Sequence, residues 1–272
     1  MAKVAFIGDS FSAYDQEGQF KNHWSWKLAQ KFPKHEYFNY AWGGRGYNYY
    51  QWCLLDAKIR EIDIVFVNRT FNHRVGYLLN DCEFEFEEKT ISDNYIQVRM
   101  NEDRYVWYSP ANKWVSPDEN FCPRESDGSF SKSELFSWAH ERNVTINQAT
   151  KIGIVMQNQS ASITSQKYND KWFENISKLY NFKHIIPLEL MNIMTGRDSY
   201  KGSELLNSVA KNNAHHLLAQ AHGVEDCEND FHMNKAGLLV SEEDSHWSPK
   251  ANDWVLENYI LTPDTVNILK DK

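Results

Sequence analysis

The stretch VAFIGDSFSAYD, Val4 to Asp15, decides how this chain is read. Val4-Ala5-Phe6-Ile7 is an apolar run stopped by Gly8, the pattern of a short strand buried on both faces. Gly8-Asp9-Ser10 then follows at the strand's carboxyl end. Open parallel sheets form their active sites in the crevice beyond those ends. Ser10 is therefore either a nucleophile or a serine in a turn, and the rest of the sequence must decide between them.

Working outward, Trp24, Leu28 and Phe32 recur every four residues, as one helix face does, and Pro33 stops that helix. Tyr37 to Ala41 reads as a second strand, closed by Gly43-Gly44. Tyr49 to Ile59 reads as a helix, and Ile62 to Val67 as a third buried strand. Helices are expected over 133–150 and 166–180, with a fourth strand at Ile152–Met156 between them. His184–Leu188 reads as a fifth strand, 203–222 as a helix, and 249–260 as a last helix opened by Pro249. Strands separated by helices predict an α/β fold, a five-stranded parallel sheet with helices on both faces in three α/β/α layers. Within it, 81–127 changes character: EFEFEE, YIQVRM and RYVWY alternate apolar and polar residues, as hairpin strands do. It reads as an antiparallel β-rich insertion or small subdomain within a single domain, 1–272.

Composition narrows the function classes. A net charge of -8 over 272 residues argues against non-specific nucleic-acid binding and against an anionic membrane surface as partner. No apolar run approaches the roughly 18 residues of a membrane span. Met1-Ala2-Lys3 leads straight into a strand, with no leader pattern before it. Cys53, Cys82, Cys122 and Cys227 are scattered, as reduced thiols are. The expected location is cytoplasmic.

A serine hydroxyl is a weak nucleophile until a base stands within hydrogen-bond reach and a carboxylate orients that base. Near the end of the chain, Glu243-Asp244-Ser245-His246-Trp247 supplies both from one loop. An acyl-transfer intermediate also needs donors aimed at its oxyanion. The backbone N–H groups of Ser10 and Gly44 and the side-chain amide of Asn72 suit that task. A glycine at 44 lets the main chain approach a substrate closely.

The order GDSF, then a glycine, then an asparagine, then an acid and histidine near the C-terminus resembles the SGNH (GDSL-type) hydrolase superfamily. That resemblance implies a flavodoxin-like fold and hydrolysis or transfer of acyl esters, without a cofactor. It places the nucleophile at Ser10. The family's second block is an asparagine, four residues and a donor glycine, which Asn39 to Gly44 matches, so the resemblance implies the second oxyanion donor at Gly44; it implies the third at Asn72, nine residues after Asp63. The glycine and second aspartate of that third block are replaced here by Thr70 and His73, and Asn68 is the weaker substitute for the amide. Asp244-Ser245-His246-Trp247 resembles the Asp-x-His-Trp string of the alginate O-acetyltransferase branch. It favours Asp244 over Glu243 as partner of His246.

Competing readings are structural. Asp9 suits a turn contact better than proton transfer. Arg45, Arg69 and Arg74 suit an anionic substrate or ordinary ion pairs, and Arg45 and Trp247 are the candidate substrate contacts. Trp52 suits the core. His215, His216, His222, Cys227 and His232 match no metal-ligand spacing, and no metal is expected. The expected function is a serine esterase acting on small, carbohydrate-linked or other acyl esters. Its rivals are an O-acyltransferase and a non-catalytic binding or assembly protein on the same scaffold.

Overall fold

A computed structural model describes residues 1–12, 20–43, 45–69, 75–78, 86–100, 105–108, 175, 179–191, 213–226, 230–241 and 246–271. Gly44, Asn72, Glu243 and Asp244 lie outside the described residues. So do the strand expected at 152–156, the helix expected at 133–150 and nearly all of the one expected at 166–180.

The elements that build the sheet are β1 (Lys3–Ile7), β2 (Glu36–Asn39), β3 (Ile64–Asn68), β5 (Phe86–Ser92), β6 (Tyr95–Met100) and β8 (His184–Leu188). A separate ribbon pairs β4 (Val75–Leu78) with β7 (Tyr105–Tyr108), antiparallel. The described residues also form six α-helices: α1 (Trp24–Lys31), α2 (Tyr47–Ile59), α3 (Ala214–Ala221), α4 (Asp230–Lys235), α5 (Pro249–Val255) and α6 (Pro263–Lys270).

The sheet has six strands in the order β5-β6-β2-β1-β3-β8. Only the β5–β6 pairing is antiparallel; the other neighbours run parallel. This corrects one expectation. The sheet has one strand more than the five expected, because the segment read as a β-rich insertion donates β5 and β6 to its edge. Tyr95, Val98 and Met100 of β6 are buried, so extending the sheet shelters apolar surface that a free hairpin would expose. On the other side, β8 pairs parallel with β3.

Alternation along the central strands fills two cores. Val4 and Phe6 of β1 and Ile64 and Phe66 of β3 face one layer with Trp24, Leu28, Leu218 and Val255. Ala5, Ile7, Val65 and Val67 face the other with Tyr49, Tyr50, Cys53 and Leu54 of α2. Helices thus cover both faces, as a parallel sheet requires. Much of the aromatic content is core: the Phe6 ring lies 5.4 Å from Trp24, 5.5 Å from Phe66 and 5.7 Å from Tyr37. Trp52 is half-buried against the α2 core. The Cys53 thiol is free and buried, and burial pushes its pKa up.

The C-terminal helices start where their side chains cap them. Ser248 caps α5, with Pro249 in the first turn, and Thr262 caps α6, with Pro263 likewise. His35 joins the ends of the described chain, accepting from the Ala2 N–H at 3.2 Å while its Nε2 meets the Leu269 carbonyl at 2.7 Å.

Candidate active site

The parallel strands end together, and the turns beyond them interlock. The Tyr40 N–H donates to the Phe6 carbonyl and the Trp42 N–H to the Gly8 carbonyl, continuing the β1–β2 ladder into both turns. Gly43 is thereby brought against Ser10: a methyl built on its α-carbon would lie 3.6 Å from Ser10 Cβ.

Beneath Ser10, Asp9 is 1% exposed. Its Oδ1 accepts from the Phe11 N–H at 3.1 Å and from Asn68 Nδ2 at 3.0 Å. The Asn68 Oδ1 in turn accepts from the Leu190 N–H at 3.1 Å. Asp9 is thus a turn-forming residue, and Asn68 ties together the ends of β1, β3 and β8. The Asn68 amide is spent on this clamp rather than offered to a ligand.

A cleft of about 220 Å³ opens above these strand ends. Ser10 and His246 both line it, each half-buried. The Phe11 ring stands 5.4 Å from the His246 ring and 5.2 Å from Trp247, so the residue after Ser10 packs directly on the loop that carries the histidine. Among the described residues no hydrogen bond joins Ser10 to His246; the two side chains share the cleft without touching through polar atoms.

The His246 loop is held on three sides. The Val240 N–H donates to the His246 carbonyl and the Ser248 N–H to the Leu238 carbonyl, at 2.9 Å each. The Trp247 indole N–H donates to His215 Nδ1 at 3.1 Å. Asn252 Nδ2 donates to the carbonyls of Trp247 and Ser248, while its Oδ1 accepts from the Trp24 N–H at the start of α1. Trp247 itself is 5% exposed, so it contributes an edge to the cleft and is otherwise interior.

Arg45 stands elsewhere. It is 1% exposed, its guanidinium lies 3.5 Å from the centre of the Trp42 ring, and it donates to the Gly43 carbonyl at 3.2 Å. It supports the turn after β2 from behind and is not among the residues lining the cleft. Arg69 pairs with Glu189. Among the described residues no cluster of His, Cys, Asp and Glu could hold a metal ion.

One cleft residue escapes the sequence reading. His23 caps α1, accepting from the Ser25 N–H at 3.3 Å, and lines the cleft with Ser10 and His246. Its pKa falls from 6.5 to about 3, chiefly through burial and then through the charge of His246; a hydrogen bond to the Phe11 main chain pulls the other way. The unfolded chain therefore binds this proton more readily than the folded one. Stability from His23 is present above pH 6.5 and is lost as pH falls through 6.5 toward about 3. Each pH unit in that window costs up to about 1.4 kcal/mol. Urea unfolding of wild type and His23→Gln at pH 7 and pH 5 is expected to show the shallower acid loss in the variant.

No family model matches this sequence, and no curated protein matches it. Among the described residues, no helix is long and apolar enough to cross a membrane.

Proposed function

We propose that the chain is a serine ester hydrolase of the SGNH type, with a flavodoxin-like core, acting on small acyl esters through an acyl-enzyme. The observation that carries this reading is that Ser10 and His246, from opposite ends of the chain, line one cleft beyond the carboxyl ends of parallel strands. Ser10 Oγ attacks the ester carbonyl carbon while His246 takes its proton. His246 then returns a proton to the departing alkoxide as the carbon–oxygen bond breaks. Water, deprotonated by His246, resolves the ester on Ser10 and regenerates the hydroxyl. In this reading Asp244 orients the imidazole. The N–H groups of Ser10 and Gly44 and the Asn72 amide receive the oxyanion. The chemistry needs no cofactor.

A cleft of about 220 Å³ suits a short acyl group, an O-acetyl ester on a carbohydrate included. The acidic balance fits a small-molecule partner rather than nucleic acid, and the proposed location is cytoplasmic. An O-acyltransferase differs only in the alcohol that resolves the acyl-enzyme.

One observation favours a non-catalytic binding role instead, namely the missing Ser10–His246 hydrogen bond. Such bonds are often long in ligand-free enzymes and tighten around substrate, so the hydrolase reading stands first. Intact-protein mass after incubation with a fluorophosphonate tests it. Single labelling of the wild type, lost in Ser10→Ala and His246→Ala, is the expected result. A folded wild type that stays unlabelled overturns it in favour of the binding role. Acylated product on adding sugar alcohols identifies the transferase.

A further inference from the structure

A buried hydrogen-bond chain runs from the turn after β2 to the turn after β1, and its direction is fixed at one end. Asn39 Oδ1 accepts from the Ala41 N–H at 2.9 Å, so the Asn39 amide nitrogen is the atom facing Tyr95, donating to its hydroxyl at 2.7 Å. The Tyr95 oxygen is thus an acceptor there, and its own proton goes to Ser25 Oγ, 3.1 Å away. Ser25 Oγ then donates to His23 Nδ1, also at 3.1 Å, which accepts from the Ser25 N–H as well. An imidazole nitrogen that accepts twice carries no proton. The ring proton of neutral His23 therefore sits on Nε2, toward the Phe11 main chain. The Phe11 carbonyl also receives the Trp24 indole N–H at 2.7 Å.

We propose that His23 is a positioning residue for the nucleophile turn, locked as the uncharged Nε2–H tautomer by the Asn39–Tyr95–Ser25 chain. The positioning role rests on the acyl-transfer reading of Ser10 and His246; the tautomer lock stands without it. The lock joins the two turns on which acyl transfer would depend. One carries Ser10 and Phe11, and the other carries Gly43, which packs on Ser10.

The charges around His23 agree with a neutral ring. His246, from the loop before α5, and Lys27, one turn along α1, both disfavour a proton on it. Lys27 is paired with Asp253 of α5. The hydroxyl that faces it through Ser25 is that of Tyr95 on β6, whose pKa burial pushes up to about 12. That hydroxyl keeps its proton throughout the working range and cannot reverse the chain.

Long-range proton–nitrogen NMR spectra of the imidazoles read the lock directly. In the wild type, His23 is expected to show a protonated Nε2 and a bare Nδ1, unchanged from pH 8 to about pH 4. A protonated Nδ1, or titration near the ordinary histidine value, overturns the lock. Tyr95→Phe removes the chain's central hydroxyl, and Ser25→Ala serves where that variant fails to fold. In either, His23 is expected to titrate at higher pH than in the wild type.

The rate of fluorophosphonate labelling then tests the positioning role. Below neutrality, its acid limb is expected to steepen by one further proton in the variants. A merely structural role lowers the unfolding midpoint but leaves that slope alone, and an unchanged slope overturns the assignment. A wild type that shows the tautomer but takes no label overturns the acyl-transfer reading, and with it the positioning role, while the lock survives.

Discussion

Alanine at Gly8 is expected to destabilise the protein by more than about 3 kcal/mol. A methyl there would lie 2.2 Å from Ser12 Oγ, 2.5 Å from Ser12 Cβ and 3.1 Å from Asn68 Cβ. None of these neighbours can withdraw cheaply. The Ser12 N–H donates to the Asp9 carbonyl at 2.9 Å, closing the turn that carries Ser10, and Asn68 is held by Asp9 and Leu190. The glycine is required here by close approach between two turns. Urea unfolding measures the loss. Adding Ser12→Gly to Gly8→Ala removes the two worst contacts and is expected to restore most of the stability. A Gly8→Ala protein within about 1 kcal/mol of wild type would show that the turn has room to shift.

The second large effect is expected at Asn68→Asp, a change of almost no volume. The new carboxyl replaces a donor to Asp9 with a second acceptor, and both residues are 1% exposed. Two carboxylates at that distance cannot both ionise, so the pair retains a proton and the new group's folded pKa rises above its unfolded value of about 3.9. A raised folded pKa contributes stability below the unfolded value and loses it as pH climbs through the folded one. The variant is therefore expected to lose about 3–5 kcal/mol at pH 8 and to recover part of that loss at pH 5. Most proteins weaken on acidification, so a wild-type–variant gap that narrows toward acid is diagnostic. A gap independent of pH would mean that Asp9 and Asn68 separate instead.

The apolar runs of β1, β2 and β3 were legible in the sequence because a strand buried on both faces needs no partner to declare it. β6 was legible as a strand but not as a parallel neighbour of β2. Its run of apolar and polar residues, Ile96-Gln97-Val98-Arg99-Met100, reads the same whichever way a partner runs. α6 was missed although Thr262-Pro263-Asp264 carries the marks of a helix start. The cleft pairing of Ser10 with His246 followed from where strands end. The place of His23 did not, because its part comes from burial beside Phe11 and from a chain that reaches Tyr95 through Ser25, contacts made across the fold. Arg45 reads the same in sequence whether it reaches solvent or lies under Trp42. Gly44, Asn72 and Asp244 stand as sequence expectations.

The clamp on the Leu190 N–H spans 122 residues, and the bond from the Trp24 N–H to Asn252 spans 228. Closing such spans costs chain entropy that local pairings do not, so contacts between near neighbours form earlier. During synthesis β1, β2 and β3 are available to pair while the segment carrying His246 and Asn252 is still unmade. A chain halted before Leu239 owns most of its sheet and the Ser10 turn, yet lacks the far wall of the cleft. On the proposed hydrolase reading, an activated Ser10 would then mark the end of folding. It would distinguish finished molecules from those that have collapsed and gone no further.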